Sequence, residues 1–133
     1  MIVVDTNVIA ALVMRDTHHS LARDVIVKDA VWRAPMLWQS ELANALWKAV
    51  RFAGMDVEAA VAAFAEAMKQ VQTHDLVKRE TALRIACASG HSAYDCEFVA
   101  AANELGVALV TFDQRLAGSF PDVAVLVKDW LRA

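Results

Sequence analysis

Met1-Ile2-Val3-Val4-Asp5-Thr6-Asn7-Val8 opens the chain, and its reading decides the fold. Three successive β-branched residues, Ile2 to Val4, show no polar alternation, which describes a short strand covered on both faces, as strands are in parallel sheets packed between helices. Asp5 ends the run, and Asp5 or Thr6 then serves as N-cap for a helix over Thr6 to Met14. A carboxylate therefore stands at a strand's exit. Further acids occupy comparable junctions: Glu41 in Trp38-Gln39-Ser40-Glu41-Leu42, Asp95 in Ser92-Ala93-Tyr94-Asp95-Cys96, and Asp113 in Val110-Thr111-Phe112-Asp113-Gln114. In an open parallel α/β sheet such junctions gather at one edge, where ligands bind.

Outward from that stretch the pattern alternates strands and helices. A second helix is expected from about His18 to Lys28, a strand from Val31 to Ala34 ended near Pro35, and a helix from about Gln39 to Phe52 stopped by Gly54. Asp56 caps a helix whose apolar positions Val57, Val61, Phe64, Met68 and Val71 recur at helical spacing, a stripe expected to face the core or another subunit. His74 to Val77 reads as a short strand and Glu80 to Ala88 as a helix closed by Gly90. Ser92 to Leu105 follows, with capping-box spacing at Ser92-x-x-Asp95 and Gly106 at its end. Val107 to Thr111 and Val123 to Val127 complete the strands. Helical crossovers between short apolar strands predict an α/β fold, a parallel sheet with helices on both faces. No linker, repeat or low-complexity segment divides residues 1–133, so one domain is expected.

The chain of 133 residues is long enough for one sizeable core. Its hydrophobic fraction of 58% and mean hydropathy of +0.36 are high, yet no stretch reaches the roughly 20 apolar residues of a spanning helix. With Asp5 breaking the first apolar run too early for a secretory signal, a cytoplasmic location is expected. Cys87 and Cys96 lack metal-ligand spacing and read as reduced filler. Hydrophobic excess without membrane or disulfides points to buried interfaces between chains, hence self-association or an obligate partner. Trp32, Trp38, Trp47 and Trp130, with Met14 and Met36, suit either the core or a helix-in-groove contact. His18 and His19 fall on a helix surface, where solvation or a turn contact explains them better than metal binding.

A formal net charge of −3 argues against a general nucleic-acid coat protein but leaves a nuclease open. Part of the acidity sits at the four junctions, where bound cations would reverse the local sign, and Arg15, Arg23, Lys48, Arg51, Lys78, Arg79 and Arg115 are available to rim a groove. Taken singly, each basic residue reads as solvated surface.

Each acid also has a structural explanation: Asp5 as N-cap, Glu41 as a first-turn residue favoured by the helix dipole, Asp95 within a capping box, Asp113 as a turn former. All four explanations put the carboxylate at the amino end of a helix on the same sheet edge. Acids meeting there, with no basic residue beside them in sequence, repel one another unless a divalent cation neutralises them, and an oxygen-only donor set suits Mg²⁺ or Mn²⁺. Such a cluster fits phosphodiester hydrolysis: one ion lowers the pKa of a bound water, and a second, about 3.5–4 Å away, stabilises the leaving oxygen. No organic cofactor is required. Thr6, Asn7 and Thr111 lie close enough to orient the carboxylates, or act as ordinary caps.

In Val3-Val4-Asp5-Thr6-Asn7, the helix-borne Glu41, Tyr94-Asp95 at a helix start, and Val110-Thr111-Phe112-Asp113, the chain resembles the PIN-domain ribonucleases, in particular the VapC-type toxins of bacterial type II toxin–antitoxin systems. The resemblance implies a three-layer fold with a five-stranded parallel sheet, and Mg²⁺ or Mn²⁺ held chiefly by Asp5 and Asp95, with Glu41 and Asp113 completing the acidic pocket. It also implies cleavage of RNA, a homodimer, and a cognate antitoxin whose tail lies across the helices beside the active site. One departure is Gln114-Arg115-Leu116 after Asp113, where some relatives carry a second acid, so a one-metal mechanism stays open. A receiver-like signalling domain fits worse, because Thr6-Asn7 stand where its acidic pair would continue. An aspartyl-nucleophile phosphatase would want an acid at Asn7. A catalytically silent PIN-like scaffold is the remaining alternative, opposed by the intact set of acids.

Overall fold

Ile2–Val4 (β1) is the middle strand of a five-stranded sheet ordered β3–β2–β1–β4–β5, where β2 is Trp32–Pro35, β3 Val71–His74, β4 Leu109–Thr111 and β5 Ala124–Leu126. These elements come from a computed structural model that describes residues 1–133. Every neighbouring pair is parallel, with Val3 opposite Arg33 on one side and Leu109 on the other. All three β1 residues are buried, as an unbroken apolar run at the centre of a two-faced sheet should be. From β1 the chain first builds outward through β2 and β3, then returns to the far side of β1 for β4 and β5. The gap between the carboxyl ends of β1 and β4 is thus the topological switch point, where open α/β sheets bind their ligands.

Eight helices flank the sheet: α1 (Thr6–Met14), α2 (His19–Lys28), α3 (Leu37–Ala53), α4 (Val57–Gln70), α5 (Arg79–Ser89), α6 (Ala93–Leu105), α7 (Gln114–Ser119) and α8 (Val127–Arg132). α6 packs against β1, β2 and β4 and carries α5 on its back, while α1 packs against α2, α3 and α4. No helix is long and apolar enough to cross a membrane. Gly54 ends α3 in the left-handed conformation at φ 73°, which its missing Cβ makes inexpensive.

Several boundaries differ from expectation. The third strand is Val71–His74, ahead of the expected His74–Val77, because Val71 pairs with Trp32 and so leaves the α4 stripe for the sheet. Gly106 and Val107 close α6 with bonds back to Ala102, so β4 begins only at Leu109. Val127 starts α8 instead of ending β5, and α7 and α8, six residues each, are too short to show a helical period. For α4, of the two expected faces, core or another subunit, the stripe does not take the core. Val57, Val61 and Met68 are exposed, and the buried face is Ala60, Ala63 and Ala67, since small side chains let α4 lie close to its neighbours. Cys96 is buried filler as expected, whereas Cys87 is exposed.

The tryptophans differ in burial. Trp32 and Trp38 are fully buried, Trp130 is half-buried and Trp47 is 55% exposed. Trp38 joins three elements: it stands on α3, its indole Nε1 donates to Thr73 Oγ1 of β3 at 2.9 Å, and its ring stacks on Phe64 of α4 with centroids 6.2 Å apart. Trp38→Ala should lower the unfolding free energy by about 3–5 kcal/mol in urea titrations. A loss under about 1 kcal/mol, typical of a surface change, would show that the ring does not tie these elements together.

Candidate active site

Asp5, Glu41, Asp95 and Asp113 line one groove of about 490 Å³ at the switch point, joined by a fifth acid, Asp16. Each carboxylate arrives there by local rules. Asp5 is the N-cap of α1, its Oδ1 accepting the Thr6 N–H at 2.8 Å. Asp113 is the N-cap of α7 and accepts the N–H groups of Arg115 and Leu116 at 2.9 and 3.1 Å. Asp95 sits in the first turn of α6, where Ser92 Oγ accepts its N–H at 3.1 Å. Glu41 lies one turn further into its helix than expected, on an α3 stripe of Glu41, Asn44, Ala45 and Lys48 whose i, i+3, i+4, i+7 spacing turns all four toward the groove.

A hydrogen-bond web fixes the carboxylates of Asp5 and Glu41. Thr111 Oγ1, at the end of β4, donates to Asp5 Oδ2 at 2.7 Å and accepts the Asp113 N–H at 3.0 Å, linking the two sides of the switch point through one hydroxyl. Asn7 Nδ2 donates to Asp5 Oδ2 at 3.3 Å, and Asn7 Oδ1 accepts the Phe112 N–H at the same distance. Thr6 Oγ1 donates to Glu41 Oε1 at 2.9 Å. The side chains of Thr6, Asn7 and Thr111 thus all orient carboxylates, beyond any capping role.

Burial pushes the Asp5 carboxyl up to about 6, helped by the nearby charges of Asp95 and Asp113 and opposed by the hydrogen bonds from Thr111 and Thr6. Glu41 is raised too, first by burial and then by Asp5, Asp95 and Glu97. Lys48 lines the same groove, and His91 Nδ1 lies 4.0 Å from Asp95 Oδ2 with its Nε2 bonded to Ser119 Oγ at 2.7 Å. Sequence reading passed over His91 and Asp16, gave His18 to solvation or a turn contact, and quoted Phe112 only as part of the Asp113 motif, because no local pattern sets them apart from solvated or core residues.

No three acidic, histidine or cysteine side chains converge closely enough to hold an ion unaided. The donors nonetheless fit a hard divalent cation: they are oxygen-rich, half-buried and short of cationic partners, and Mg²⁺ typically takes one or two carboxylates and completes its shell with water. The sequence model of the family described as PIN domain matches residues 2–124. The chain belongs to the PIN domain family. It is 29% identical over 124 residues to Ribonuclease VapC3 of Pyrobaculum aerophilum, a match covering 90% of this chain and 95% of that one. In fold this PIN domain resembles the crystal structure of PAE2754 from Pyrobaculum aerophilum, with a TM-score of 0.78 over 98% of this chain and 92% of that one, at 24% sequence identity.

A folded-state pKa above the ordinary 3.8 means that the folded protein holds the Asp5 proton more tightly than the unfolded chain. Without metal, stability should therefore fall as pH rises from about 4 to about 6 and level off above that. In chelator, Asp5→Asn, which keeps a competent N-cap, should gain about 1–3 kcal/mol over the wild type above pH 6 and almost nothing near pH 4. Denaturant unfolding at a series of pH values measures this. An advantage equal at pH 4 and pH 7 would refute the raised pKa of Asp5.

Proposed function

We propose that this PIN domain is a divalent-metal-dependent endoribonuclease and the toxin of a VapBC-type pair. The observation that carries the reading is the groove itself: Asp5, Glu41, Asp95 and Asp113 line it at the switch point, and hydrogen bonds from Thr6, Asn7 and Thr111 hold Asp5 and Glu41 in place. The relative named as a ribonuclease, aligned over most of both chains, supports the same activity. Asp5 and Asp95 are the principal ligands of Mg²⁺ or Mn²⁺, with Glu41 and Asp113 reaching it directly or through water. When bound, the cation lowers the pKa of water and offsets charge on the phosphate oxygens. Asp5 must shed its proton before it can ligate, so metal affinity should rise as pH climbs through about 6. Lys48, on the α3 side of the groove, meets the backbone phosphate of the RNA.

The antitoxin contact is proposed for the opposite side of α3. There Leu46, Trp47 and Val50 form with Val57, Val61 and Phe64 of α4 a wholly apolar cavity of about 360 Å³, a shape suited to the apolar face of a helix. Because α3 carries Glu41 and Lys48 on its other side, a segment seated in that cavity and continuing over α3 reaches the acids. A homodimer is proposed from the same apolar excess, since Phe52, Leu76 and Leu83 are also more than half exposed.

Purified protein, free of partner, should cut total RNA into discrete fragments with Mg²⁺ or Mn²⁺ and not with chelator. Asp5→Asn and Asp95→Asn should fold and reduce cleavage to background. Thr111→Val, which removes only the hydroxyl that orients Asp5, should lower activity by roughly 10–100-fold. Retained cleavage by both Asn variants would overturn the assigned residues.

A further inference from the structure

We propose that the stacked rings of His18 and Phe112 form a platform for one unpaired RNA base next to the scissile phosphate. The proposal rests on the reading of the acid groove as an RNA-cleaving centre. The two rings lie 4.8 Å apart between centroids and 28° from parallel. Both line the acid groove, and both also line a second cavity of about 200 Å³ that contains Leu21, Gln114 and Lys128. The pair is the shared border of the two spaces.

Neither folding nor capping accounts for His18. It is exposed, it precedes α2 as the cap residue without bonding any helix N–H through its side chain, and the core needs no imidazole there. Its backbone is nevertheless held, with the N–H donating to Asp16 Oδ1 at 2.8 Å. Phe112 is held more firmly still. Its N–H is bonded to Asn7 Oδ1, and its neighbours Thr111 and Asp113 belong to the web around Asp5. With both backbones held and the rings already stacked on each other, an aromatic surface is formed beside the acids before any ligand arrives, which lowers the ordering cost of stacking on it.

A cavity of this size suits a single ring system, well below the roughly 300 Å³ at which sites for drug-sized ligands begin. Single-stranded RNA offers splayed bases whose faces stack on aromatic rings, whatever their identity. Gln114 can donate to and accept from a base edge, and Lys128 supplies a cation for the next phosphate. Stacking on His18 and Phe112 therefore sets which phosphate lies over the acids, with any base preference carried by Gln114.

The test compares single-stranded RNA heptamers of U, C or A with an abasic heptamer of equal length, titrated by fluorescence anisotropy with Ca²⁺ present as the divalent cation. Wild-type protein should bind base-bearing RNA roughly 5- to 100-fold more tightly than abasic RNA. His18→Ala should lose most of that ratio while its affinity for abasic RNA and its melting temperature stay near wild type. Phe112→Leu, which keeps apolar bulk beside Asp113 without an aromatic face, should lose it as well. An unchanged ratio in His18→Ala, no ratio in the wild type, or no binding at all would overturn the platform. If the ratio depends on His18 but Mg²⁺ leaves all the base-bearing heptamers and total RNA uncut, the ribonuclease reading fails, and with it the placement beside a scissile phosphate, while the base contact itself is upheld.

Discussion

The hydrogen bond from Thr111 Oγ1 to Asp5 Oδ2, 2.7 Å long, is the interaction on which the rest depends. It crosses the switch point of the sheet, joins the first strand to the fourth, and holds in place a carboxylate that burial and like charges would otherwise push away. The same hydroxyl accepts the Asp113 N–H, so the geometry of two acids follows from one threonine. The fold serves this contact: three-residue strands and a parallel register bring Val4 beside Val110, which sets the next residues, Asp5 and Thr111, within reach of each other.

α3 divides the surface into two chemistries. One side carries Glu41, Asn44 and Lys48 into a polar groove, and the other presents Leu46, Trp47 and Val50 to an apolar cavity. A single helix can do this because positions three and four apart share a face while those one and two apart do not. Occupancy of the apolar side and access to the acidic side are therefore mechanically adjacent.

Much of this was legible in the sequence because the informative residues obey local rules. A β-branched run followed by an N-cap gave β1 and Asp5, Ser92-x-x-Asp95 gave the start of α6, and Gly54 and Gly106 gave two helix ends. Where local rules conflict, tertiary contact decided. Val71 fits a helical stripe by spacing, yet pairing with Trp32 draws it into the sheet, and the valines of α4 look like a core face until its alanines are seen to pack inward. His91 and Phe112 gained meaning only through contacts across the fold, with Ser119 and His18 respectively.

The order in which the site is assembled has a bearing on biosynthesis. Asp5 comes first from the ribosome and its partner Thr111 lies 106 positions later, with Asp113 beyond that. Contacts of such long range form late, after loop closure has been offset by the packing of everything between. A nascent chain holding β1, β2 and β3 already displays Asp5 and Glu41 but lacks the strand whose threonine orients Asp5. The acidic centre is therefore completed only once β4 has emerged and docked, and a chain truncated before β4 carries the first acids without the geometry that gives them a use.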